Sequence, residues 1–304
     1  MISTTVQNIL EGFVPAERIF VNEPMKKHTT FQVGGNADCL IAIEKDEELK
    51  SLINYLNRIE IPYLVLGNGS NLLVSDDGFR GIVLKTKGSF SQITVEDELV
   101  TAQSGALLSQ VAKSAYEHGL TGFEFAAGIP GTVGGGVVMN AGAYGGEMAH
   151  VVQTVEVIDK SGEILVMDNS SMEFGYRNSV IKRHPFVVSK VTFKLQKGDK
   201  EQIKTRMDEL AAARREKQPL EYPSAGSTFK RPEGYFAGKL IMDSGFRGFT
   251  LGGAQVSEKH CGFIINRNNA TAKDISDLMK EVSEGVYEKY GVRLEPEVIR
   301  IGKF

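Results

Sequence analysis

Only two cysteines, Cys39 and Cys261, occur in the 304 residues, far apart and without CxxC spacing. Neither a disulfide framework nor a cysteine-based zinc site is expected, and a reducing, cytoplasmic setting suits the chain. There is no apolar run long enough to span a bilayer, and the first residues, MISTTVQNILEGFVPAE, lack a cationic region followed by an apolar one. Membrane insertion and secretion are therefore not expected. Charge of one sign is missing too: 35 Lys and Arg face 38 Asp and Glu, interspersed, for a net charge of −3. Nucleic acid and membrane surfaces are not expected partners. The five histidines (His28, His118, His150, His184, His260) show no HExxH or other ligand spacing, so no metal is expected. No Gly-Lys-Ser/Thr occurs, which excludes a Walker-type phosphate loop, and Gly67-Asn68-Gly69-Ser70-Asn71-Leu72 lacks the third glycine of a Rossmann fingerprint. Tryptophan is absent, which excludes nothing.

What is abundant is glycine, in one place above all. The stretch Ala127–Gly146, AGIPGTVGGGVVMNAGAYGG, holds eight glycines between Gly128 and Gly146. That density is expected to keep the segment out of helix and strand interiors, because glycine costs backbone entropy there. The segment is otherwise apolar and almost uncharged, unlike a solvated linker. Two alternatives stand: backbone wrapped around a large polar ligand with N–H groups aimed at an anion, or tight turns inside a β-rich core. A second glycine turn, Gly67-Asn68-Gly69-Ser70-Asn71, follows a strand–helix–strand unit. It is either a plain hairpin turn or a nest of N–H groups for phosphate.

Periodicity supplies the rest of the outline. Residues 2–12 are expected to form a short helix, Cys39–Ile43 a strand, and Asp46 the N-cap of a helix bearing Leu49, Leu52, Ile53 and Leu56. Strands follow at Pro62–Leu66, Leu72–Ser75, Gly81–Lys85, Ile93–Val95 and Leu99–Ala102. A helix spans Leu107–His118, with Gly119 past its end. Val151–Asp159 and Glu163–Met167 form a hairpin, Ser170–Glu173 resembles a capping box, and Phe186–Leu195 is another strand. A charged helix occupies Asp199–Lys217, Thr271 caps a long helix ending at Gly291, and Val292–Ile301 closes the chain.

GNGSN at 67–71 and GIPGTVGG followed by MNAGAYGG resemble the flavin-binding segments of the MurB family of UDP-N-acetylenolpyruvoylglucosamine reductases. The resemblance extends through YRNS at 176–179, AGSTFKRP at 225–232 and LEPEV at 294–298, covering nearly the whole chain in order. It implies a three-domain α+β protein. Residues 1–85 and 86–200 would form an FAD-binding fold of the vanillyl-alcohol-oxidase/PCMH type, and 201–304 a C-terminal α+β substrate domain whose last strand can return to the first. It also implies noncovalent FAD, NADPH as co-substrate, a monomer, and a nucleotide-sugar substrate, UDP-N-acetylglucosamine enolpyruvate, reduced to UDP-N-acetylmuramate in peptidoglycan precursor synthesis. A flavin oxidase or dehydrogenase of the same fold would keep both glycine segments but has no reason to carry YRNS, AGSTF and LEPEV together. A nucleotide-sugar-binding regulator that had lost its flavin has no reason to keep them all.

Carried over residue by residue, the cofactor set is Gly67, Asn68, Gly69, Ser70, Asn71, Gly128, Pro130, Gly131, Gly134, Gly135, Asn140, Gly142, Ala143 and Tyr144. The catalytic set is Arg177, Ser227 and Glu297. Adding hydride to an enol ether next to a carboxylate builds negative charge on that carboxylate, which a fixed cation or acid stabilises. The planar fork of Arg177 suits a carboxylate clamp, Glu297 would lie near the same group, and Ser227 between small neighbours would deliver the proton. Lys217 or Lys239 would tune the serine. Tyr144, Lys217, Tyr235, Arg247 and His260 would hold the uridine diphosphate end. One branch of the family inserts a tyrosine-bearing segment after the YRxS motif; this chain resembles the other branch. Arg300 stands one residue later than the family's Glu-Val-Arg, and so on the opposite face of a strand. Arg231 replaces a shorter polar side chain.

Overall fold

The computed structural model describes residues 3–86 and 88–304. The chain folds as two compact units: residues 1–21, 39–67 and 81–213 in one, and 22–38, 68–80 and 214–304 in the other. Helices and strands are mixed throughout, as the expected α+β class requires.

In the first unit, a five-stranded antiparallel sheet runs in the order Ile164–Asp168, Val152–Ile158, Val187–Lys194, Leu99–Gln103, Ile93–Glu96. Alternation decides its buried face. Val155, Val157, Val191 and Phe193 are fully buried, and with Val111, Ala112, Val133 and Val137 they make one core beneath the helices Leu108–Glu117 and Val133–Val138. A second core gathers Leu49, Leu52, Ile53 and Leu56 from the helix Asp46–Arg58 with Cys39, Ile41 and Ile43 from the strand Asn36–Ile43. Tyr63–Leu66 pairs in parallel with Ile82–Lys85. In the second unit, the helix Ala272–Tyr290 buries Ile275, Leu278, Val282 and Val286 against Ala254, Val256 and Ile264 of a small antiparallel sheet. Thr271 caps it through the Asp274 N–H, Asp76 accepts from the Ala272 and Lys273 N–H groups, and Gly291 ends it at φ 67°. No helix among the described residues is long and apolar enough to cross a membrane.

Several local expectations change. The first helix is Thr4–Leu10; residue 2 lies outside the described residues. Asp46 is not the N-cap: Lys45 holds that place with an extended backbone, and the Asp46 carboxylate accepts from the Ser189 hydroxyl at 2.8 Å. The capping box at Ser170 is replaced by Asp168, whose carboxylate takes the Ser170 hydroxyl and the Ser171 N–H, both at 2.8 Å. It stands nearer to those donors, while Glu173 turns left-handed and pairs with Arg183. The closing strand shortens to Ile299–Ile301, which pairs in parallel with Leu72–Val74. Ahead of it Pro296 has no N–H to give, and its neighbours Glu295 and Glu297 make an isolated bridge to Lys230 and Thr228 in place of a ladder.

Glu48 is the most heavily used acid of the first unit. Only 8% exposed, it accepts from Arg18 at 2.6 and 2.9 Å and from the Glu44 and Lys45 N–H groups. Burial alone would raise its pKa, but the Arg18 hydrogen bond and the two backbone donors outweigh it and hold the carboxyl below its ordinary value. The stability it contributes is complete above the ordinary carboxylate range and is lost as pH falls through the depressed value. Glu48→Gln should therefore cost about 1–3 kcal/mol at neutral pH, since the partly buried Arg18 loses its closest counter-charge and keeps the more exposed Glu44 at 3.5 Å. The deficit should shrink in denaturant titrations run below about pH 4, the ordinary glutamate range. A deficit that does not change with pH would remove the ion pair from the account.

Candidate functional site

The glycine stretch is not wholly irregular. Gly134, Gly135 and Gly136 lie inside the six-residue helix Val133–Val138, which corrects the expectation that they avoid helix. Their placement explains the exception. The Val133 and Gly134 N–H groups donate to the Ala106 and Ser104 carbonyls, each at 2.8 Å. A Cβ on Gly134 would lie 3.0 Å from the Ser104 Cβ, and one on Gly136 3.2 Å from a Leu108 methyl. Side-chain-free faces let the helix sit directly on neighbouring backbone. Gly135, by contrast, is exposed, and a Cβ there would meet only the Thr132 hydroxyl at 3.6 Å. Thr132 also touches the other glycine turn: a Cβ on Gly67 would fall 2.2 Å from its Oγ1. The two segments thus meet at Gly67 and Thr132. The Ser104 hydroxyl beneath Gly134 is buried and has no hydrogen-bond partner among the described residues.

Downstream, Gly142–Ala143 and Gly146–Glu147 pair as a small hairpin with Tyr144 and Gly145 at its tip, at φ 53° and 89°. Such a pair of left-handed residues is the tight turn whose twist fits a hairpin, and it leaves Tyr144 44% exposed. Gly128 and Pro130 are exposed as well, and Gly131, Gly142 and Ala143 partly so. Asn140 is completely buried. Arg177 occupies the tip of a second tight turn, in which Gly175 and Asn178 exchange both backbone hydrogen bonds at 3.1 Å. Its guanidinium lies 5.0 Å from the centre of the Tyr176 ring and donates to the Gly142 carbonyl at 3.3 Å. The YRNS motif is therefore bound to the MNAGAYGG motif within one unit.

In the second unit, the turn after Gly67 is not a hairpin. Asn71 leads into Leu72–Val74, whose partner is the distant Ile299–Ile301. Gly69 stands at φ 62°, where a Cβ would meet the His28 carbonyl at 2.1 Å. Asn68 is exposed and Ser70 partly so. The Asn71 amide donates to the Glu297 carbonyl at 3.1 Å, and its own carbonyl accepts from Ile299. On the other side, the Glu297 N–H donates to the Thr228 carbonyl at 2.9 Å. Ser227 precedes Thr228 and is exposed, whereas Thr228 is fully buried. Asn71 and Glu297, singled out from separate motifs, are thus tied together directly, and Glu297 is tied to Ser227 through the backbone of Thr228. Thr228 was not foreseen. No periodic signal pointed to it: Thr228 and Phe229 are buried side by side outside any regular strand.

The sequence model described as "UDP-N-acetylenolpyruvoylglucosamine reductase, C-terminal domain" matches residues 218–301, and that described as "FAD binding domain" matches 37–168. A UDP-N-acetylenolpyruvoylglucosamine reductase of Clostridioides difficile (strain 630) is 52% identical over 294 residues, 97% of each chain. The chain belongs to this reductase family. A family member from Caldanaerobacter subterraneus subsp. tengcongensis is 51% identical over 294 residues, again 97% of both. The crystal structure of the reductase from Thermus caldophilus superposes with a TM-score of 0.80 at 38% identity, covering 93% of this chain and 98% of that one. An alkyldihydroxyacetonephosphate synthase shares the fold alone, with a TM-score of 0.50 at 13% identity over 65% of this chain and 41% of its own.

For this reductase, the residues at hand fit an FAD site: the exposed backbone of Gly135, the close approach of Gly67 to Thr132, and the buried, unpartnered Ser104 hydroxyl. The substrate candidates all belong to the second unit except Tyr144. Lys217 is exposed in the last turn of the helix Lys200–Lys217, and Arg247 donates to the Glu258 carbonyl at 2.8 Å. His260 is half-buried, and burial lowers its pKa, keeping the ring neutral so that Nδ1 accepts the Gly262 N–H at 3.1 Å. The Gly262 carbonyl accepts in turn from Thr228 at 2.8 Å. Lys239 is paired with Asp243 at 2.7 Å. Tyr235 is 46% exposed beside Arg231, which donates to its carbonyl and stacks 4.0 Å from the Phe236 ring centre. Arg300 is exposed at 5.7 Å from the Phe304 ring centre.

Gly134 and Gly135 separate scaffold from cofactor. Gly134→Ala should destabilise the fold by about 1–3 kcal/mol, the usual penalty of overpacking. Gly135→Ala should be neutral or slightly stabilising, since alanine is the better helix residue and meets only an ordinary contact. Gly135→Val should keep the fold yet purify without FAD. Thermal unfolding together with flavin absorbance checks all three, and full FAD content in Gly135→Val would remove this helix face from the cofactor site.

Proposed function

We propose that this chain is an NADPH-dependent flavoprotein reductase that converts UDP-N-acetylglucosamine enolpyruvate to UDP-N-acetylmuramate, a step in peptidoglycan precursor synthesis. We further propose that it works in the cytoplasm as a monomer, with the nucleotide sugar as its small-molecule partner, and that its chain divides into domains at 1–85, 86–200 and 201–304. Membership of the reductase family over 97% of the chain supports the reaction. The observation that supports carrying it to particular residues is the backbone bond from Glu297 to Thr228, the residue that follows the exposed Ser227.

When bound, FAD would supply the hydride, taken from NADPH and passed to the terminal methylene carbon of the enolpyruvyl group. The chain's own residues have three tasks. Arg177 and Glu297 hold the substrate carboxylate and stabilise the charge that collects on it as an enolate. Ser227 gives its hydroxyl proton to the carbon adjacent to that carboxylate, and water restores it. Lys217, Arg247, His260, Tyr144 and Tyr235 bind the uridine diphosphate end, with cations toward phosphate. Gly67–Asn71, Gly128, Pro130, Gly131, Gly135 and Gly142–Tyr144 line the cofactor, while Gly134 and Asn140 serve it from within the scaffold.

Purified protein should carry FAD noncovalently, released on denaturation. Ser227→Ala should leave NADPH-driven bleaching of the flavin intact and slow reoxidation by the enolpyruvyl substrate at least ~10²-fold, the low end for a positioned proton donor. Stopped-flow measurement of the two half-reactions decides this, and equal losses in both would take the proton from Ser227.

A further inference from the structure

Asn140 belongs by its motif to the cofactor segment, yet it is wholly buried and its amide is engaged by the protein. Its Nδ2 donates to the Gly175 carbonyl at 3.0 Å, and its Oδ1 accepts the Ala149 N–H at 2.9 Å. Gly175 is the first residue of the turn that carries Arg177, and its carbonyl also accepts from Asn178. Two further bonds run between the same segments: the Ser179 hydroxyl to the Val138 carbonyl at 2.9 Å, and Arg177 to the Gly142 carbonyl at 3.3 Å. Ser179 is fully buried as well. The turn itself is unfavourable. Arg177 sits at φ 52°, in the place where a four-residue turn prefers glycine. A side chain there costs about 1–2 kcal/mol, and such a conformation persists only where its surroundings over-determine it. Asn140 is left-handed too, at φ 41°, a backbone that asparagine tolerates better than most residues.

We propose that Asn140 is the positioning residue for Arg177: its amide pins the strained Gly175–Asn178 turn to the cofactor segment and so fixes where the guanidinium fork points. Ser179 secures the far side of the turn. The proposal rests on Arg177 acting as the carboxylate clamp assigned above. A planar fork recognises a carboxylate only in a narrow geometry, and a misplacement of about 1 Å can cost ~10²-fold in rate. Asn140 thereby acts on the reaction without touching substrate.

The test is a double-mutant cycle read in single turnovers. Asn140→Asp is isosteric and keeps the acceptor for Ala149, but it sets an oxygen against the Gly175 carbonyl where an N–H stood. Flavin is first reduced with NADPH, then its reoxidation by the enolpyruvyl substrate is followed in wild type, N140D, R177A and the double variant. N140D should slow reoxidation ~10–100-fold when Arg177 is present, and less than about 3-fold in the R177A background, because residues acting through one another are not additive. FAD content and bleaching by NADPH should match wild type. Additive losses would reduce Asn140 to general scaffolding, and FAD loss would make it a flavin ligand; either overturns the proposal. Ser179→Ala, which removes a single bond, goes through the same cycle and decides the matter if N140D does not fold. A wild-type protein that fails to turn over would sink the assigned reaction instead. The Arg177 Nε–Hε NMR resonance would then decide, since N140D or S179A must shift it more than those of the other arginines.

Discussion

Glycine set directly against a neighbouring residue, with no Cβ of its own between, is the constraint from which the first unit's site follows. It occurs where Gly67 meets Thr132 and where Gly134 meets Ser104. A Cβ at Gly67 would overlap its neighbour and one at Gly134 would crowd it, and both contacts fall at the start of one short helix. Together they fix where that helix begins relative to the strands that end at Leu66 and Gln103. The Val133 and Gly134 N–H groups are used in the seat itself, and Gly135 is the glycine of this helix left exposed. The same glycines that cost the chain conformational entropy when it folds therefore allow the close seating on which the proposed cofactor face would rest.

Strain is concentrated beside that surface. Asn140, Tyr144, Glu173 and Arg177 are all left-handed without being glycine, within a single stretch of the chain. Tyr144 and Arg177 each stand at the tip of a two-residue turn, where a small residue would be more stable, and each presents a large side chain. The surroundings hold them there: a hairpin ladder for Tyr144, and the Asn140 and Ser179 bonds for the turn of Arg177. Backbone strain kept in place by buried polar bonds is what a pre-organised clamp requires, because the geometry is set before the substrate arrives.

How far the sequence went depended on whether a signal was periodic. The Val152–Asp168 hairpin, the helix Ala272–Tyr290 and its Thr271 and Gly291 ends were legible, since alternation, helical spacing and caps are local. The helix through Gly134–Gly136 was not, because composition argues against it and only the contact with Ser104 and Leu108 makes it stable. Asp46 and Ser170 were misjudged for a related reason. Each is a good cap by type, but Ser189 and Asp168 reach their partners first, and that competition is tertiary or lies just upstream of the motif. Ser227, Glu297 and Arg177 could be picked out by motif. That Thr228 joins the first two, and Asn140 braces the third, is a matter of which carbonyl lies within reach, and no spacing along the chain encodes it.

The Ser-Thr-Phe run shows how a weak acid can be made dependable. Thr228 and Phe229 are both buried, against the alternation of a regular strand, while Ser227 is exposed. All three polar groups of Thr228 are used: its N–H by Gly262, its carbonyl by Glu297, and its hydroxyl by the Ile264 N–H at 3.0 Å. A residue held at three points cannot rotate without leaving buried donors unsatisfied, each at about 1–3 kcal/mol. Ser227 inherits that rigidity through one peptide bond, and Glu297 through one hydrogen bond. The buried threonine is therefore what keeps the backbone at the serine and at the glutamate in a constant relation, and in the proposed reaction a proton donor as poor as serine would depend on such constancy more than a better acid would.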